Sequence, residues 1–353
     1  MCKKIKSVCV CGHFGLGENL SNGQTIKTKI ITDGLKRKIG DEEVNIIDTH
    51  GGAKKLFLLP FCVLKMLRKS YNMIMLPAHN GLKIITPVLF FENLIFRRKL
   101  HYIVIGGWLP EFIKNKKILS YMLKKFDGIY VETKKMKNSL EDFGFKNVFL
   151  MPNCKDLEIV PLSELKTEFR EPFNLCTFSR VMKEKGIEDA IFAVESINKK
   201  YGKTVFTLDI YGQVDEGQKQ WFEDLKKSFP EYVKYKGTVS FDKSVDVLKN
   251  YFALLFPTRF FTEGIPGTII DAYASGVPVI SSKWENFDDI IEEGITGLGY
   301  EFSNVEALKT VLERIAENPE IVMTMKKECA LKAETLKTEN IIKILIENLG
   351  EKR

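Results

Sequence analysis

Short runs of β-branched and apolar residues alternate along almost the whole chain with longer segments whose apolar positions recur at helical spacing. In the first half, Ile5–Cys11, Glu43–Asp48, Asn72–Leu76, Tyr102–Ile105, Gly128–Val131 and Val148–Met151 read as strands. Segments such as Thr25–Lys38 and Lys117–Lys125 lie between them with helical periodicity. The second half repeats the scheme, with strands expected at Asn174–Ser179, Thr204–Tyr211, Val233–Lys236, Ala253–Phe256 and Val277–Ser281. Such alternation predicts an α/β protein with parallel sheets covered by helices on both faces. Between the halves lies PNCKDLEIVPLSELKTEFREPF, whose prolines at 152, 161 and 172 make it the best linker in the chain. Two doubly wound domains are therefore expected, residues 1–157 and 158–337. Ligands of such sheets bind beyond the carboxyl ends of the strands, so the cleft between the domains is the default site.

Composition narrows the class. At 353 residues, 44% of them hydrophobic, the chain can bury two cores of about 150 residues each. Its seven cysteines are scattered, and the closest pair, Cys9 and Cys11, lacks the CxxC spacing of a redox or zinc motif. Reduced thiols in a cytoplasmic setting are expected. No run approaches the roughly 18 apolar residues of a membrane span; Leu56–Leu64 contains Pro60 and stops at Lys65. Charge is uneven: residues 1–150 hold 26 Lys and Arg against 12 Asp and Glu, leaving 27 of the 53 basic and 34 of the 46 acidic residues to the remainder. A basic half suits phosphate groups or an anionic membrane surface, and equally a solvated basic face. Lys54–Ser70 and Phe90–Lys99 mix apolar and basic residues as an interfacial segment does, and as a core helix with basic ends does. No recognised module supports a nucleic-acid partner.

Three stretches carry candidate chemistry. The first strand leads into CGHFGLGENLSNGQTIKTK. Gly15 and Gly17 open a GxGxxG pattern, but its third position is Leu20 and the loop is too long for a dinucleotide turn, which argues against an NAD enzyme. A helix start at Asn22-Gly23 fits better, with Asn22 as cap and Gly23 allowing a phosphate or sugar near the free N–H groups; an ordinary capped helix fits this segment as well. In NLCTFSRVMKEKGIEDAI, Arg180 and Lys185 follow a strand, a fork and a mobile point charge placed for a diphosphate. In FFTEGIPGTIIDAYASGVPVISS, Glu263 sits in a loop, Pro266 suits a first helical turn, Gly267 and Thr268 offer free N–H groups, and Asp271 lies one turn inside the helix. Two carboxylates flanking a helix start would accept hydrogen bonds from hydroxyls, and a nucleotide sugar supplies both hydroxyls and phosphates.

SRVMKEKG, EGIPGTIIDAYASGVPVI and EEGITG, in this order, resemble the C-terminal domain of family-four retaining glycosyltransferases of GT-B fold, including those of bacterial capsule and exopolysaccharide assembly, and LMPNCKDLE resembles the family's entry into that domain. The likeness is close over about residues 148–320 and looser before. It implies two Rossmann-like domains facing a cleft, with a final helix, 338–353, packing back on the first. It implies donor diphosphate binding by Gly23, Arg180, Lys185, Gly267 and Thr268, donor-sugar binding by Glu263 and Ile265, and ribose binding by Asp271, where the family usually has Glu. Asn22 replaces the first glycine of the family's pair. A histidine after the fourth strand often stands near the reacting carbon, and His79 in IMLPAHNG is assigned to it, with Glu263, as catalytic; His13, His50 and His101 have weaker cases. With no DxD in the chain, no metal and no cofactor are expected. The co-substrate would be a nucleoside-diphosphate sugar, UDP-linked by family habit, and the acceptor a glycan or lipid-linked sugar at the inner face of the membrane. A nucleotide-sugar epimerase of similar fold, or a binding protein without turnover, remain the alternatives.

Overall fold

A computed structural model describes residues 5–18 and 23–350. The chain divides into two compact units, one of residues up to Asp156 together with those from Leu336 onward, the other Leu157–Thr335. Unit 1 runs β1 (Val8–Gly12), α1 (Gly23–Ile39), β2 (Val44–Asp48), α2 (Gly52–Lys69), β3 (Asn72–Leu76), α3 (His79–Phe96), β4 (Lys99–Ile103), α4 (Leu109–Ile113), α5 (Lys117–Leu123), β5 (Gly128–Val131), α6 (Lys134–Asp142) and β6 (Val148–Leu150). Unit 2 begins with β7 (Phe173–Phe178), α7 (Ile187–Tyr201), β8 (Phe206–Tyr211), α8 (Lys219–Lys226), β9 (Val233–Gly237) and α9 (Ser244–Leu248). It continues through β10 (Ala253–Phe256), α10 (Gly267–Ala274), β11 (Val279–Ser282), β12 (Gly297–Tyr300), α11 (Val305–Glu317) and α12 (Glu320–Thr335). The last helix, α13 (Thr338–Ile346), buries Ile342 and Leu345 in the core of unit 1 against α1.

Each unit is built on one six-stranded parallel sheet, in the order β2-β1-β3-β4-β5-β6 and β12-β11-β10-β7-β8-β9. β1, β3 and β10 are buried along their whole length, which is why they read as unbroken apolar runs; the edge strand β9 alternates buried and exposed residues. The strand order reverses between β1 and β3 in unit 1 and between β7 and β10 in unit 2. Connections leave such a reversal point in opposite directions, opening a crevice at the carboxyl ends of the two strands.

Several expected boundaries shift. β1 starts at Val8 rather than Ile5 and β11 at Val279 rather than Val277. The fourth strand is Lys99–Ile103 instead of Tyr102–Ile105. Its start carries two polar residues that find partners in the tertiary structure: Lys99 pairs with Asp127 at 2.6 Å, and Nδ1 of buried His101 bonds the Tyr130 hydroxyl at 3.2 Å, while its Nε2 is buried without a partner. β12, GLGY, was not expected, because two of its four residues are glycines and carry no strand preference.

Candidate functional site

The reversal point of unit 2 gathers the residues that follow β7 and β10. Arg180 lies two residues beyond β7, half-exposed, its Nη1 3.5 Å from Asp215 Oδ2. Lys183–Lys185 form a single 3₁₀ turn closed by Gly186 in the left-handed region, φ 68°. A Cβ at Gly186 would fall 1.9 Å from the Pro257 carbonyl oxygen, so only glycine lets the chain after β10 press against the start of α7. Gly212 plays the same part after β8, where a Cβ would meet the Ser179 carbonyl at 1.7 Å.

That close approach joins two residues 78 positions apart. Lys185 Nζ donates to both oxygens of Glu263, at 2.6 and 2.8 Å, with the two side chains 13% and 19% exposed. The ammonium also lies 5.5 and 5.0 Å from the ring centres of Phe256 and Phe260. Sequence reasoning missed the residues that hold Glu263. Thr258 Oγ1 donates to its Oε2 at 2.9 Å, and Asn286 Nδ2 to its backbone carbonyl at 2.6 Å. Beside them Arg259 forks onto Asp189 at 2.6 and 2.9 Å, tying this loop to α7. A Thr five residues before an acid is too common a pattern to have flagged the first of these contacts.

Pro266, expected within the first turn, is the N-cap of α10, and Gly267 and Thr268 are its first residues. Their N–H groups precede any carbonyl of the helix that could accept them. The Thr268 hydroxyl is shut away from solvent without a partner. Ile265 is buried, 3% exposed, and so is Asp271. Asp271, expected to flank a ligand with Glu263, is buried inside α10 and has a partner within the protein.

At the reversal point of unit 1 a cavity of about 690 Å³ lies at the ends of β1, β2 and β3. His13, Asp48, Lys55 and His79 supply polar lining, and Leu59, Met66 and Ile85 apolar walls. His79 is the first residue of α3 and follows the third strand, not the fourth; the connection after β4 brings Trp108 instead. The two rings stack at 3.8 Å, with Phe112 edge-on at 5.3 Å. Burial, and then the charges of Lys83 and Lys116, lower the His79 pKa, which favours the neutral base near pH 7.

The loop after β1 differs from expectation. Asp48, at the end of β2, accepts N–H groups from Phe14 at 3.0 Å, Leu16 at 3.0 Å and His50 at 2.9 Å. Burial pushes its pKa up, but these bonds and Lys55 outweigh that and hold it down at about 2. The loop's donors thus already enclose an anion belonging to the protein. A second device ties the same loop down. His13 Nδ1 lies 2.7 Å from Thr25 Oγ1, its Nε2 2.9 Å from His50 Nδ1, and His50 Nε2 3.0 Å from Glu18. One direction of donation satisfies the run, from the Thr25 hydroxyl through both rings to the Glu18 carboxylate. Gly23 begins α1 with open space where a Cβ would stand, so packing does not demand glycine there; Asn22 lies outside the described residues. Among the described residues no group of three or more His, Cys, Asp or Glu is arranged to hold a metal.

Two parallel sheets with these reversal points, each covered by helices, define the GT-B fold. Anabaena HepE, solved in complex with UDP, superposes with a TM-score of 0.76 at 14% identity over 97% of this chain and 99% of that one. Sucrose-phosphate synthase of Thermosynechococcus elongatus gives 0.76 at 15% identity over 97% and 98%. Residues 172–318, most of unit 2, match the family Glycosyl transferases group 1. An uncharacterized glycosyltransferase of Methanocaldococcus jannaschii is 22% identical over 59% of this chain and 54% of its own length. The alpha-monoglucosyldiacylglycerol synthase of Acholeplasma laidlawii is 30% identical over 43% and 37%, and the amylovoran biosynthesis glycosyltransferase AmsK of Erwinia amylovora 24% over 49% and 43%. The matches thus span from about a third to just over half of these relatives.

Proposed function

We propose that the protein is a retaining glycosyltransferase that moves a sugar from a nucleoside-diphosphate sugar, UDP-linked, to a glycan or lipid-linked acceptor in surface polysaccharide assembly. The observation that carries this reading is the Lys185–Glu263 pair at the reversal point of unit 2, beside Arg180 and the first N–H groups of α10. The family match over that unit and the UDP in the HepE complex support the donor class.

In this reading the donor's diphosphate replaces Glu263 as the partner of Lys185. A diphosphate offers the Lys185 ammonium more charge than one carboxylate does. Glu263, kept in place by Thr258 and Asn286, is then released to accept hydroxyls of the donor sugar. Arg180 and the α10 N–H groups take the remaining phosphate oxygens. The bond from the anomeric carbon to the diphosphate breaks with its electron pair on the phosphate oxygen, which these cations stabilise without a metal. The acceptor hydroxyl attacks from the same face, its proton leaving with the diphosphate. His79 and the partly apolar cavity of unit 1 serve the acceptor side.

No helix among the described residues is long and apolar enough to cross a membrane. The basic balance of unit 1 and the exposed Phe57, Phe61, Phe91 and Ile95 on α2 and α3 support a peripheral position on the cytoplasmic face.

The test is a thermal-shift panel of UDP, GDP, ADP and NAD in EDTA. A ligand at about 100 times its dissociation constant adds roughly 2.7 kcal/mol of stability. A shift with a nucleoside diphosphate is expected; a shift with NAD alone sinks the reading, and a UDP response abolished by EDTA sinks its metal-independence.

A further inference from the structure

α2, α3 and α5 pack side by side on unit 1 and leave large apolar side chains in water. Phe57 and Phe61 stand out on α2, Leu94 and Ile95 on α3, Ile118 and Tyr121 on α5; Ile95 and Ile118 are 76% and 75% exposed. Single exposed hydrophobic residues are ordinary, but a set spread over three neighbouring helices marks a surface that meets something apolar. Between α3 and α5 a groove of about 650 Å³ runs over Pro87, Ile118, Leu119 and Met122.

The rim of that groove is cationic. Lys83, Lys116 and Lys117 line it, and none of them pairs with a carboxylate among the described residues. The Lys83 and Lys116 ammonium groups lie 5.4 and 4.0 Å from the centre of one ring, Phe112, and Lys116 also donates to the Phe112 backbone carbonyl at 2.5 Å. The nearby acids do not offset them. Glu111 is taken by Lys114 at 3.5 Å, and the Glu92 carboxyl has an oxygen sealed from solvent without a partner, its pKa raised by burial. Cations without a carboxylate partner beside an apolar trough are complementary to an amphiphile whose phosphate leads into hydrocarbon. A free phosphate would leave the trough and the outlying apolar side chains in water.

We propose that the α3–α5 groove docks an anionic phospholipid of a bilayer, its phosphate on Lys83, Lys116 and Lys117 and the first part of its chain along Pro87, Ile118, Leu119 and Met122. Leu94, Ile95 and Tyr121 then enter the interface around it. This deepens the peripheral position proposed above by naming the lipid class and the residues that select it.

The experiment is co-sedimentation of the full chain with phosphatidylcholine vesicles, with and without phosphatidylglycerol, and with the UDP thermal shift measured on the same samples. Binding is expected only to vesicles carrying phosphatidylglycerol. Replacing Lys83, Lys116 and Lys117 by Gln should weaken it about a hundredfold, since each lysine near an anionic surface contributes about a factor of five. Ile118→Asp should weaken binding to the same vesicles, and both variants should keep the wild-type UDP response. That retained response separates loss of docking from unfolding and from failure of the donor reading. Vesicle binding by a wild type that ignores every nucleotide supports docking while sinking the donor. Wild-type indifference to anionic vesicles at low salt overturns the proposal. So does a triple variant that binds like wild type, or inorganic phosphate that stabilises the protein as much as the vesicles do.

Discussion

The two units solve the same topological problem with opposite chemistry. Each sheet reverses its order once, and each reversal point collects the residues that follow two neighbouring strands. In unit 2 that point holds Lys185 on Glu263, partly exposed, and the half-exposed Arg180 facing Asp215. In unit 1 the charges near the strand ends are already committed: Asp48 to three backbone N–H groups, and Lys27 to Glu132 in a pair that is 5% and 3% exposed. The cavity of unit 1 offers an imidazole, backed by the Trp108 ring, and an apolar wall, with Lys55 and Lys65 also in its lining. In the proposed function, the charges of unit 2 suit an anionic donor, and the partly apolar cavity of unit 1 suits an acceptor whose hydroxyl must be positioned rather than neutralised. In that function, one sheet design would serve two kinds of ligand through the side chains its loops bring to the reversal points.

If the charges of unit 1 are structural, removing one should cost folding. Lys27→Met removes the buried cation facing the Glu132 carboxylate and should destabilise unit 1 by about 3–5 kcal/mol, while Lys27→Met with Glu132→Leu should recover most of that. Hydrogen exchange of the α1 and β5 amides measures it. A single variant as stable as the double would make the pair a site rather than a strut.

Asp48 gives the next effect. Its pKa of about 2 lies below that of the unfolded chain, so its contribution is complete above about pH 4 and is lost as the pH falls through 2. Asp48→Asn should therefore cost about 2 kcal/mol at pH 7 and progressively less on acidification. A loss that does not change with pH would mean that the loop, rather than the carboxylate charge, is what matters.

The same contrast decides what could be read from the sequence. Strands buried on both faces announce themselves, as NMIML and ALLF do, and the α/β alternation follows from them. β4 and β12 were blurred because Lys99 and His101, or two glycines, occupy positions whose fitness depends on neighbours from other strands. The cluster of unit 2 could be singled out because its residues sit in compact segments, SRVMKEKG and EGIPGTIID; only the Lys185–Glu263 contact needed the adjacency of β7 and β10. The cluster of unit 1 could not. His13, Asp48 and His50 meet through the pairing of β1 with β2, and His79 meets Trp108 through that of β3 with β4. Each pair is separated by about thirty residues with no local signature, beyond the DTH that closes β2.

The most direct test measures UDP affinity by calorimetry, with transfer to acceptor in parallel, for wild type, Lys185→Ala and His79→Ala. The account predicts that Lys185→Ala weakens UDP about tenfold or more and slows turnover about 10²–10³-fold. It predicts that His79→Ala slows turnover about 10²–10⁴-fold with UDP affinity unchanged. Equal losses of UDP affinity in both variants, or none in Lys185→Ala, would contradict the assignment of donor and acceptor to separate units.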